Sequence, residues 1–274
     1  MAISIELICV GTELLIGKTL NTNANWLAKR ITSLGGNVVR ITVVRDDIDE
    51  IASSLKDTME RKNDFIITMG GLGPTFDDKT LEGIAGALRR KLTVNDEALE
   101  MVEAKYRSYV QEGRMQRFEM TSPRVKMATL PEGAKPLPNP TGTAPGVLMK
   151  YERKTIISLP GVPSEMKAIF EGSVLPMLKK AAGDLTFFET SIDATGVMES
   201  ELAPAVDRVM HNNPYVYIKS HPKGAERIHR IEFHLSTTAD SSNVARNRVS
   251  NALAQLCEII EKKGGKIKTT HTGN

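Results

Sequence analysis

The sequence predicts an α/β protein, with a parallel-sheet domain at residues 1–182 and a small α+β domain at residues 183–274. Three observations support this division. In the first part, short β-rich runs alternate with amphipathic helical stretches, which is the pattern of a parallel sheet with crossover helices. Glycine, aspartate or asparagine follows nearly every one of these strands. From residue 184 onward, strands and helices follow one another in an order typical of a small α+β sandwich.

The first domain opens with three strand–helix pairs. The apolar runs SIELICV, NVVRITVV and DFIITM predict strands at 4–10, 37–44 and 64–69, of which the third is the most apolar. Helices are predicted after them at 21–36, 47–62 and 78–92. In the first helix Leu27, Ile31 and Leu34 share one face, and the pair Gly35-Gly36 ends it.

The second half of this domain is less regular. Residues 95–117 predict a long polar helix, and Ser122 before Pro123 predicts an N-cap followed by Pro at the first helical position. The Pro- and Gly-rich stretch 128–146 predicts mostly loop with a short strand. GVLMK and KTIISLP predict a hairpin at 146–150 and 154–160. The helix predicted at 164–183 contains Pro176, which can kink or split it.

The second domain is predicted to contain three strands and two helices. The strands lie at 187–197, 215–220 and 227–237, and the helices at 199–213 and 242–263. No internal repeat or low-complexity segment is present.

Composition narrows the class of protein. The chain has 274 residues, of which 41% are apolar and 25% charged, and its net charge is only +3. Because no strong basic excess is present, composition favours a small-molecule partner over nucleic acid. No apolar run approaches the roughly 20 residues that span a bilayer, and the N-terminus lacks a basic n-region, so no membrane partner and a cytoplasmic location are expected. Cys9 and Cys257 lie in apolar patterns and are expected to be buried thiols.

Five polar loops are the main functional signal. They read VGTELLIGKTLNTN, VVRDD, MGGLGPTFDD, NPTGTAPG and LPGVPSE, and each follows a predicted strand. Ligands of parallel α/β sheets bind outside the carboxyl ends of the strands, so these loops are expected to meet at one crevice. Their number is harder to explain by turn formation alone than any single Gly-rich loop.

The loop GGLGPTFDD at residues 70–78 combines two opposing features. Gly70, Gly71 and Gly73 allow close backbone approach and supply N–H donors, and a helix beginning near Asp77 adds its positive dipole end, which suits phosphate. Asp77 and Asp78 are either helix caps or metal ligands. A divalent cation between carboxylate and phosphate reconciles both features, so a phosphorylated, nucleotide-like ligand is predicted.

Several other site types are not supported. The glycine loop lacks the Gly-Lys-Ser/Thr of a Walker loop and the spacing of the dinucleotide fingerprint. His221, His229 and His234 match no zinc spacing, and the last two are five apart, so on one strand they would point to opposite faces. There is also no G-x-S-x-G elbow and no Cys with an evident His partner, so nucleophilic acyl chemistry has no support.

The motifs resemble a known family. Gly11-Thr12-Glu13-Leu14-Leu15, with Gly17 and Asn21-Thr22-Asn23, resembles the opening of the CinA family (competence/damage-inducible protein). GGLGPTFDDKT, NPTGTAPG and LPGVPSEM resemble its other signatures, in the same order and through the whole first domain. The resemblance implies the molybdopterin-binding fold of MogA and MoaB proteins, a three-layer α/β/α sandwich, followed by a small C-terminal α+β domain that is KH-like.

The resemblance also implies an activity. It is ADP-ribose pyrophosphatase activity, a divalent-metal-dependent split of the diphosphate into AMP and ribose 5-phosphate, with Co²⁺ or Mg²⁺ as the metal and K⁺ as a further activator. A homo-oligomer, specifically a dimer, is implied as well. The C-terminal nicotinamide-mononucleotide deamidase domain of many bacterial members has no room in 274 residues, so that activity is not expected. Phe76 stands where relatives often carry a polar or basic residue. The second domain lacks a GxxG loop, so RNA binding is not implied.

The resemblance assigns the catalytic positions. Aspartates after the second strand and in the glycine loop are catalytic in MogA relatives, and they match Asp46 and Asp78 here. Both are expected to ligate metal or to act as bases that orient a water, with Asp77 as a further metal ligand. A capping role for Asp46 stays open, and Asp47 is the less favoured substitute.

The remaining candidates belong to the ligand. Glu13 either binds metal or ribose or is a solvated loop residue, and Asn21 and Asn23 either bind sugar or base or start the helix. Ser164 is expected to be an N-cap from which Lys167 can reach a phosphate. The substrate-binding set comprises Gly11, Thr12, Glu13, Asn21, Asn23, Gly70, Gly71, Gly73, Thr75, Thr141, Gly142, Thr143, Gly161, Ser164 and Lys167.

Three functions are therefore carried forward. The first is metal-dependent hydrolysis of ADP-ribose. The second is molybdopterin binding or adenylyl transfer to a pterin phosphate in molybdenum cofactor biosynthesis. The third is a non-catalytic nucleotide- or RNA-binding module, against which the presence of all three aspartates argues.

Overall fold

The computed structural model describes residues 3–183, 185–223 and 230–272. The chain forms two compact units, one of Met1–Thr32 with Gly36–Ala182 and one of Ser33–Gly35 with Gly183–Asn274. Within the described residues, no helix is both long and apolar enough to cross a membrane.

The first unit is built on a six-stranded sheet in the order β2-β1-β3-β8-β7-β6. Neighbouring pairs among β2, β1, β3 and β8 are parallel, whereas β7 is antiparallel to both β8 and β6. β4 and β5 form a separate two-stranded ribbon. The strands are β1 (Ser4–Val10), β2 (Asn37–Val44), β3 (Phe65–Met69), β4 (Leu92–Val94), β5 (Thr129–Pro131), β6 (Lys135–Leu137), β7 (Gly146–Tyr151) and β8 (Lys154–Leu159).

Eight helices belong to the described part of this unit. They are α1 (Thr12–Leu15), α2 (Thr22–Thr32), α3 (Ile48–Glu60), α4 (Thr80–Leu88), α5 (Asp96–Gln111), α6 (Ser122–Lys126), α7 (Pro163–Ile169) and α8 (Leu175–Ala182). One core cluster joins the strands to α3 and α4, for example through Ile66, Leu55 and Ile84. α2 contacts α7 and buries Leu27 outside that cluster, and Trp26 stacks edge-on against Phe170 with ring centroids 5.4 Å apart. The predicted α/β class is confirmed, with helices on both faces of the sheet.

The central strand explains why the sheet is stable. Every residue of β3 is buried, and Ile66 and Ile67 are fully excluded from water. Both faces of a sheet interior must be apolar when helices cover both, so a continuous apolar run rather than an alternating one is expected here. This strand also ends directly at the glycine loop.

Several predicted boundaries are wrong, each for a local reason. The helix after the glycine loop begins at Thr80 rather than near Asp77, because residues 74–79 form a turn held by Thr75. The polar helix expected to reach residue 117 ends at Gln111, just before Gly113 at φ +72°. The N-cap of α6 is Thr121 instead of Ser122.

The helix predicted at 164–183 is found as one continuous helical run from Pro163 to Ala182, with a π-helical turn at Phe170–Val174 between α7 and α8. Pro176 is the second residue of α8, directly after this turn. In a regular α-helix a proline ring clashes with the carbonyl four residues earlier, and the wider turn relieves that clash, so the helix continues through the proline.

The second unit is a four-stranded antiparallel sheet covered by two helices. Its elements are β9 (Thr186–Thr195), α9 (Glu199–Asn212), β10 (Tyr217–Lys223), β11 (Arg230–Ala239), α10 (Ser242–Lys262) and β12 (Lys266–Thr272). Phe233, Val206 and Leu256 are among the residues that join sheet and helices in one core. The small α+β domain expected from the sequence is thus present.

The KH-like arrangement expected for this domain is not the one found. The βαββαβ succession with the sheet order β10-β11-β9-β12 is the ferredoxin-like split βαβ arrangement. The sequence analysis missed β12, which pairs antiparallel with β9 and completes this topology. The run KIKTTHT is polar, with Ile267 as its one large apolar residue, so periodicity alone does not identify it.

Candidate functional site

The order of the strands creates a crevice at one edge of the first unit. β1 lies between β2 and β3, and the chain turns toward α2 after β1 but toward α4 after β3. Because these helices lie on opposite faces of the sheet, the two loops separate at the carboxyl ends of β1 and β3. A topological switch of this kind is the usual ligand position in parallel α/β sheets. The resulting crevice has a volume of about 390 Å³.

The crevice gathers most of the predicted loops. Strand ends β1, β2, β3 and β8 contribute to it, and so does the 139–146 loop, because β6 ends and β7 begins at this same edge. The predicted site residues that line it are Gly11, Glu13, Asp46, Gly70, Gly71, Gly73, Asp77, Asp78, Thr143 and Gly161.

The glycine loop needs its glycines. Gly70 has φ +100°, and a Cβ there would lie 2.2 Å from the Val10 carbonyl oxygen. Gly71 has φ +64°, and a Cβ would lie 2.4 Å from the hydroxyl of Thr80, which donates a 2.7 Å hydrogen bond to the Gly70 carbonyl. In the described part of the chain, the N–H groups of Gly71, Leu72 and Gly73 find no acceptor. The loop therefore presents free donors at the crevice, as an anion-binding loop does.

Asp46 is held in place by the loop after β1. Its Oδ2 accepts hydrogen bonds from the backbone N–H of Thr12 at 2.8 Å and from the Thr12 hydroxyl at 2.9 Å. The neighbouring Asp47 is the N-cap of α3 and accepts from the N–H groups of Asp49 and Glu50. The capping role left open for Asp46 thus belongs to Asp47, and the Oδ1 atom of Asp46 has no hydrogen-bond partner among the described residues.

Thr75 organises the two aspartates of the glycine loop. Oδ2 of Asp78 accepts from the Thr75 N–H at 2.8 Å, and the single hydroxyl proton of Thr75 can serve either Asp78 or Asp77. The hydrogen bond from Thr75, then the backbone N–H of Asp77 and the charge of Lys126, lower the pKa of Asp77. Lys126 itself donates to the backbone carbonyls of Thr75 and Asp78. Neither aspartate caps α4, whose N-cap is Lys79.

Carboxylates dominate the crevice. Glu13, Asp46, Asp77, Asp78 and Glu165 line it, whereas none of its lining residues is Lys or Arg. A Cβ on Gly73 would lie 2.6 Å from the Asp78 carboxylate. The glycine loop thus places carboxylate oxygens directly beside free N–H donors.

The donor set fits a divalent cation only in part. Asp46 and Asp78 each have one oxygen held by threonine donors and a second oxygen without a partner among the described residues. No group of three or more His, Cys, Asp or Glu residues that could hold a metal occurs in the described ranges. Hard cations such as Mg²⁺ are commonly bound by one or two carboxylates together with substrate phosphates and water. The residues therefore fit a cation shared with a phosphorylated ligand.

Asn139 and Glu165 are site residues that the sequence analysis missed. Asn139 donates to the Glu165 carboxylate at 2.7 Å and accepts from the Gly142 N–H at 2.8 Å, so it orders the NPTGTAPG loop. A Cβ on Gly142 would lie 2.0 Å from that carboxylate. Asparagine before proline in a Gly-containing loop is a typical signal for a side-chain-stabilised turn and could have identified Asn139.

A small side cavity of about 120 Å³ adjoins the crevice. Glu13 and Gly161 line both spaces, and Asn21 and Asn23 line only the side cavity. Asn21 accepts from the Ala24 N–H and donates to the Cys9 sulfur, so it helps start α2. Asn23 donates to the Gly161 carbonyl at 2.7 Å, while its buried Oδ1 has no partner among the described residues.

A sequence model of the family described as probable molybdopterin binding domain matches residues 6–180, more than half of the chain. The chain belongs to this family. The molybdopterin-binding-type fold expected from the sequence is thereby confirmed.

The chain is also similar to other proteins and to solved structures. A protein of Pyrobaculum calidifontis is 46% identical over 258 residues, which cover 94% of this chain and 95% of that relative. The crystal structure of the protein CinA with unknown function from Thermoplasma acidophilum is 39% identical, has a TM-score of 0.58, and covers 64% of this chain and 98% of its own. The molybdopterin biosynthesis enzyme MoaB from Thermus thermophilus is 20% identical with a TM-score of 0.44, over 66% of this chain and 94% of its own.

Some predicted residues of this molybdopterin-binding-type domain do not line the crevice. Ser164 is not the N-cap of α7, which is Val162, because helix α7 already begins at Pro163. The Lys167 ammonium lies 5.5 Å from the centre of the Trp26 ring. Thr12, Thr75, Thr141 and Gly142 do not line the crevice either; they hydrogen-bond to its carboxylates or to Asn139.

The histidines and cysteines lie elsewhere. His234 bonds to Glu189 at 2.8 Å in the second unit, His221 lies in β10, and His229 falls outside the described residues. Cys9 is buried as expected, and burial raises the pKa of its thiol. Cys257 is only half-buried, so the expectation of a buried thiol is wrong there.

Proposed function

We propose that the crevice binds a phosphorylated ligand together with a divalent cation and acts on its phosphate groups. One observation carries this proposal: free N–H donors of the glycine loop and five carboxylates share a crevice whose lining contains no Lys or Arg among the described residues. Without a cation the carboxylates would repel phosphate. Asp46 and Asp78 would hold Co²⁺ or Mg²⁺ together with the phosphate oxygens, whose charge the cation would neutralise.

The ligand that the family supports is a molybdopterin-type pterin phosphate. The matching family is described as probably molybdopterin-binding, whereas the CinA structure from Thermoplasma acidophilum is described as having unknown function. Binding of such a ligand, or adenylyl transfer to its phosphate, is therefore the first candidate. The N–H groups of Gly71 to Gly73 are the donors expected to hold the phosphate oxygens.

Hydrolysis of ADP-ribose is the second candidate, favoured by the positions of Asp46 and Asp78. Oδ2 of Asp46 is held by Thr12, which leaves Oδ1 either to ligate the cation or, as a base, to take a proton from a water molecule. That water attacks one phosphorus, the P–O bond of the bridging oxygen breaks, and AMP and ribose 5-phosphate leave. Glycine-loop N–H groups would stabilise the charge that develops on the phosphate oxygens. K⁺ as an activator, a homo-oligomer and a cytoplasmic location remain proposals.

The first experiment measures metal-dependent binding and turnover in one series. ADP-ribose, and ATP with a pterin phosphate, are each incubated with Mg²⁺, Co²⁺ or a chelator, and AMP and adenylylated pterin are quantified. Asp78→Ala is expected to reduce activity by about 100-fold or more, because the cation that neutralises the phosphate charge loses one of its ligands. Asp49→Ala is the control, since Asp49 is an exposed residue of the first turn of α3 outside the crevice.

The outcomes separate the candidates. Metal-dependent AMP release that Asp78→Ala abolishes supports the hydrolase, and pterin-dependent consumption of ATP supports adenylyl transfer. Metal-dependent binding of either ligand without turnover supports a binding role. If no phosphorylated ligand binds in a metal-dependent way to the folded protein, the proposal is wrong.

A further inference from the structure

A second cavity adjoins the crevice along the glycine loop. Its volume is about 380 Å³, within the range of small-molecule pockets. Gly71, Leu72, Gly73 and Asp78 line both spaces. The other walls come from α4, β4, β5 and the segment around α6, and we call this space the loop cavity.

The walls of the loop cavity are largely apolar and only partly covered. Leu81, Leu92, Met120 and Val125 line it, and each of these large side chains is half-buried. Removing partly exposed apolar surface from water is favourable, so binding of a flat apolar ligand over it is stabilised. The loop cavity is therefore suited to a planar ring rather than to another phosphate.

Besides Asp78, two charged residues lie among these apolar walls. The Lys126 amine donates to the Asp78 carbonyl at 2.6 Å and to the Thr75 carbonyl, and so supports the glycine loop. Glu82 also lines the cavity, and its half-buried carboxylate accepts no hydrogen bond from any residue in the described ranges. A carboxylate accepts but does not donate, so a ring placed here must bring its own N–H groups.

We propose that the loop cavity binds the planar heterocycle of the ligand and that Glu82 selects rings with a 2-amino-4-oxo edge, as in guanine and pterin. The inference rests on the proposed function, because the phosphates of the same ligand occupy the crevice on the shared glycine loop. A 2-amino-4-oxo edge presents a ring N–H beside an NH₂ group, and the two can form parallel hydrogen bonds with one carboxylate. Adenine presents its amino group beside a ring nitrogen acceptor, which a carboxylate opposes.

Phosphate-free probes test the cavity separately from the crevice. Pterin and guanosine are expected to bind the intact protein with a dissociation constant of about 1 mM or tighter, and adenosine about tenfold more weakly. Glu82→Gln is expected to weaken pterin binding by about 10- to 100-fold and to leave adenosine unchanged. Glu97→Gln is the matched control, because Glu97 is likewise an acidic residue in a first helical turn, that of α5, but does not line the cavity. Pterin fluorescence and calorimetry provide the measurement.

A second variant tests the location without altering charge. Ser122→Trp places a large side chain at the exposed rim of the cavity and is expected to abolish pterin and guanosine binding. Ser242→Trp is its control, since Ser242 is also exposed and also the first residue of a helix, α10, in the other unit. Circular dichroism confirms that each variant is folded.

The results distinguish this inference from the proposed function. Equal affinity for guanosine and adenosine, unchanged pterin binding in both Glu82→Gln and Ser122→Trp, or no pterin binding at about 1 mM would each overturn the inference. The proposed function would still stand if a magnesium-bound phosphorylated ligand binds and Asp78→Ala abolishes that binding. Pterin binding with metal-independent phosphate binding would instead overturn the proposed function, and with it the claim that one ligand spans both spaces.

Discussion

At the scale of single residues, the acidic crevice depends on threonines that do not themselves line it. Thr12 supplies two hydrogen bonds to Asp46, and Thr75 supplies its N–H and hydroxyl to the aspartates of the glycine loop. Each threonine holds one carboxylate oxygen and leaves the other available. Residues that orient ligands of a metal commonly change its affinity by about 10- to 100-fold when they are removed.

Replacement of Thr12 tests this role. Thr12→Val removes the hydroxyl donor and keeps the backbone N–H, so the Asp46 carboxylate loses one of its two restraints. We expect the affinity for Mg²⁺ in the presence of the phosphorylated ligand to fall by about tenfold. Titration calorimetry measures the affinity directly. Thr12→Ser retains the hydroxyl and should bind like the wild type, and equal loss in both variants would contradict the role.

The adjacent aspartates Asp46 and Asp47 provide a second test. Asp47→Ala removes the N-cap of α3 and is expected to lower the free energy of unfolding by about 1 kcal/mol, with ligand binding unchanged. Asp46→Ala should do the reverse, impairing metal-dependent binding with little loss of stability. Urea denaturation together with calorimetry measures both quantities. The assignment of the two roles fails if Asp47→Ala, rather than Asp46→Ala, abolishes ligand binding.

At the scale of elements, the glycine loop joins β3 to α4 through a backbone that few residues can adopt. Gly70 and Gly71 both have positive φ, and a Cβ at either position would overlap a neighbouring atom. The sequence analysis identified these glycines because they follow an apolar strand. The position of the helix start could not be identified in the same way, since it depends on the turn formed by Thr75 and Asp78 rather than on periodicity.

A glycine comparison tests the strain at this loop. Gly70→Ala introduces a Cβ 2.2 Å from the Val10 carbonyl oxygen at φ +100°, and we expect a loss of about 2–4 kcal/mol in the free energy of unfolding. Gly86→Ala is the matched control, because a Cβ within helix α4 meets nothing within 4 Å. That variant should gain about 0.5–1 kcal/mol. Similar stabilities of the two variants would rule out the strain at Gly70.

At the scale of the whole molecule, charged residues have different roles at the two ends of the first unit's sheet. The carboxyl ends of the strands carry the crevice, and near the amino ends an ion pair between buried Glu6 and half-buried Arg61 joins β1 to the end of α3. Glu6, 3% exposed, bonds to Arg61 at 2.7 Å and to Asn63 at 3.0 Å, and Lys154 donates to the Asn63 side chain at 2.8 Å. This network connects β1, the segment before β3 and the start of β8.

The ion pair makes stability depend on pH. Burial alone would raise the pKa of Glu6, but hydrogen bonds from Arg61 and Asn63 and the charge of Arg61 outweigh it and leave that pKa below its ordinary value. Glu6 therefore contributes stability above its unfolded pKa of about 4.3, and the contribution is lost as the pH falls through the lower folded pKa.

Replacement of Glu6 tests this dependence. Glu6→Gln is expected to lower the free energy of unfolding by about 3 kcal/mol at about pH 7, because Arg61 loses its partner. The difference from the wild type should shrink below about pH 4, where the wild-type carboxyl is protonated as well. Urea denaturation between neutral and acidic pH measures it. A difference that stays constant over this range would contradict the role of ionised Glu6.

The two units show how far each level of information reaches. In the first unit, periodicity and strand-end glycines were enough to predict the α/β class and the strands that precede Gly11, Asp46 and Gly70. The ferredoxin-like order of the second unit was not accessible in this way, because β12 is polar and is defined by its pairing with β9. Asn139 and Glu165 were missed for a related reason, since they act on each other across 26 positions of the chain.

The sequence by itself determined the fold class of the first unit, the glycine loop and the acidic character of the crevice, because these depend on residue type and local periodicity. Only the tertiary structure decided that Asp47 rather than Asp46 caps α3, that Lys167 packs on Trp26, and that Glu82 lines a second cavity on the glycine loop. These are contacts between side chains and loops that lie apart in the chain. Which donor meets which carboxylate is settled by packing geometry, and a linear pattern of residue types does not contain that geometry.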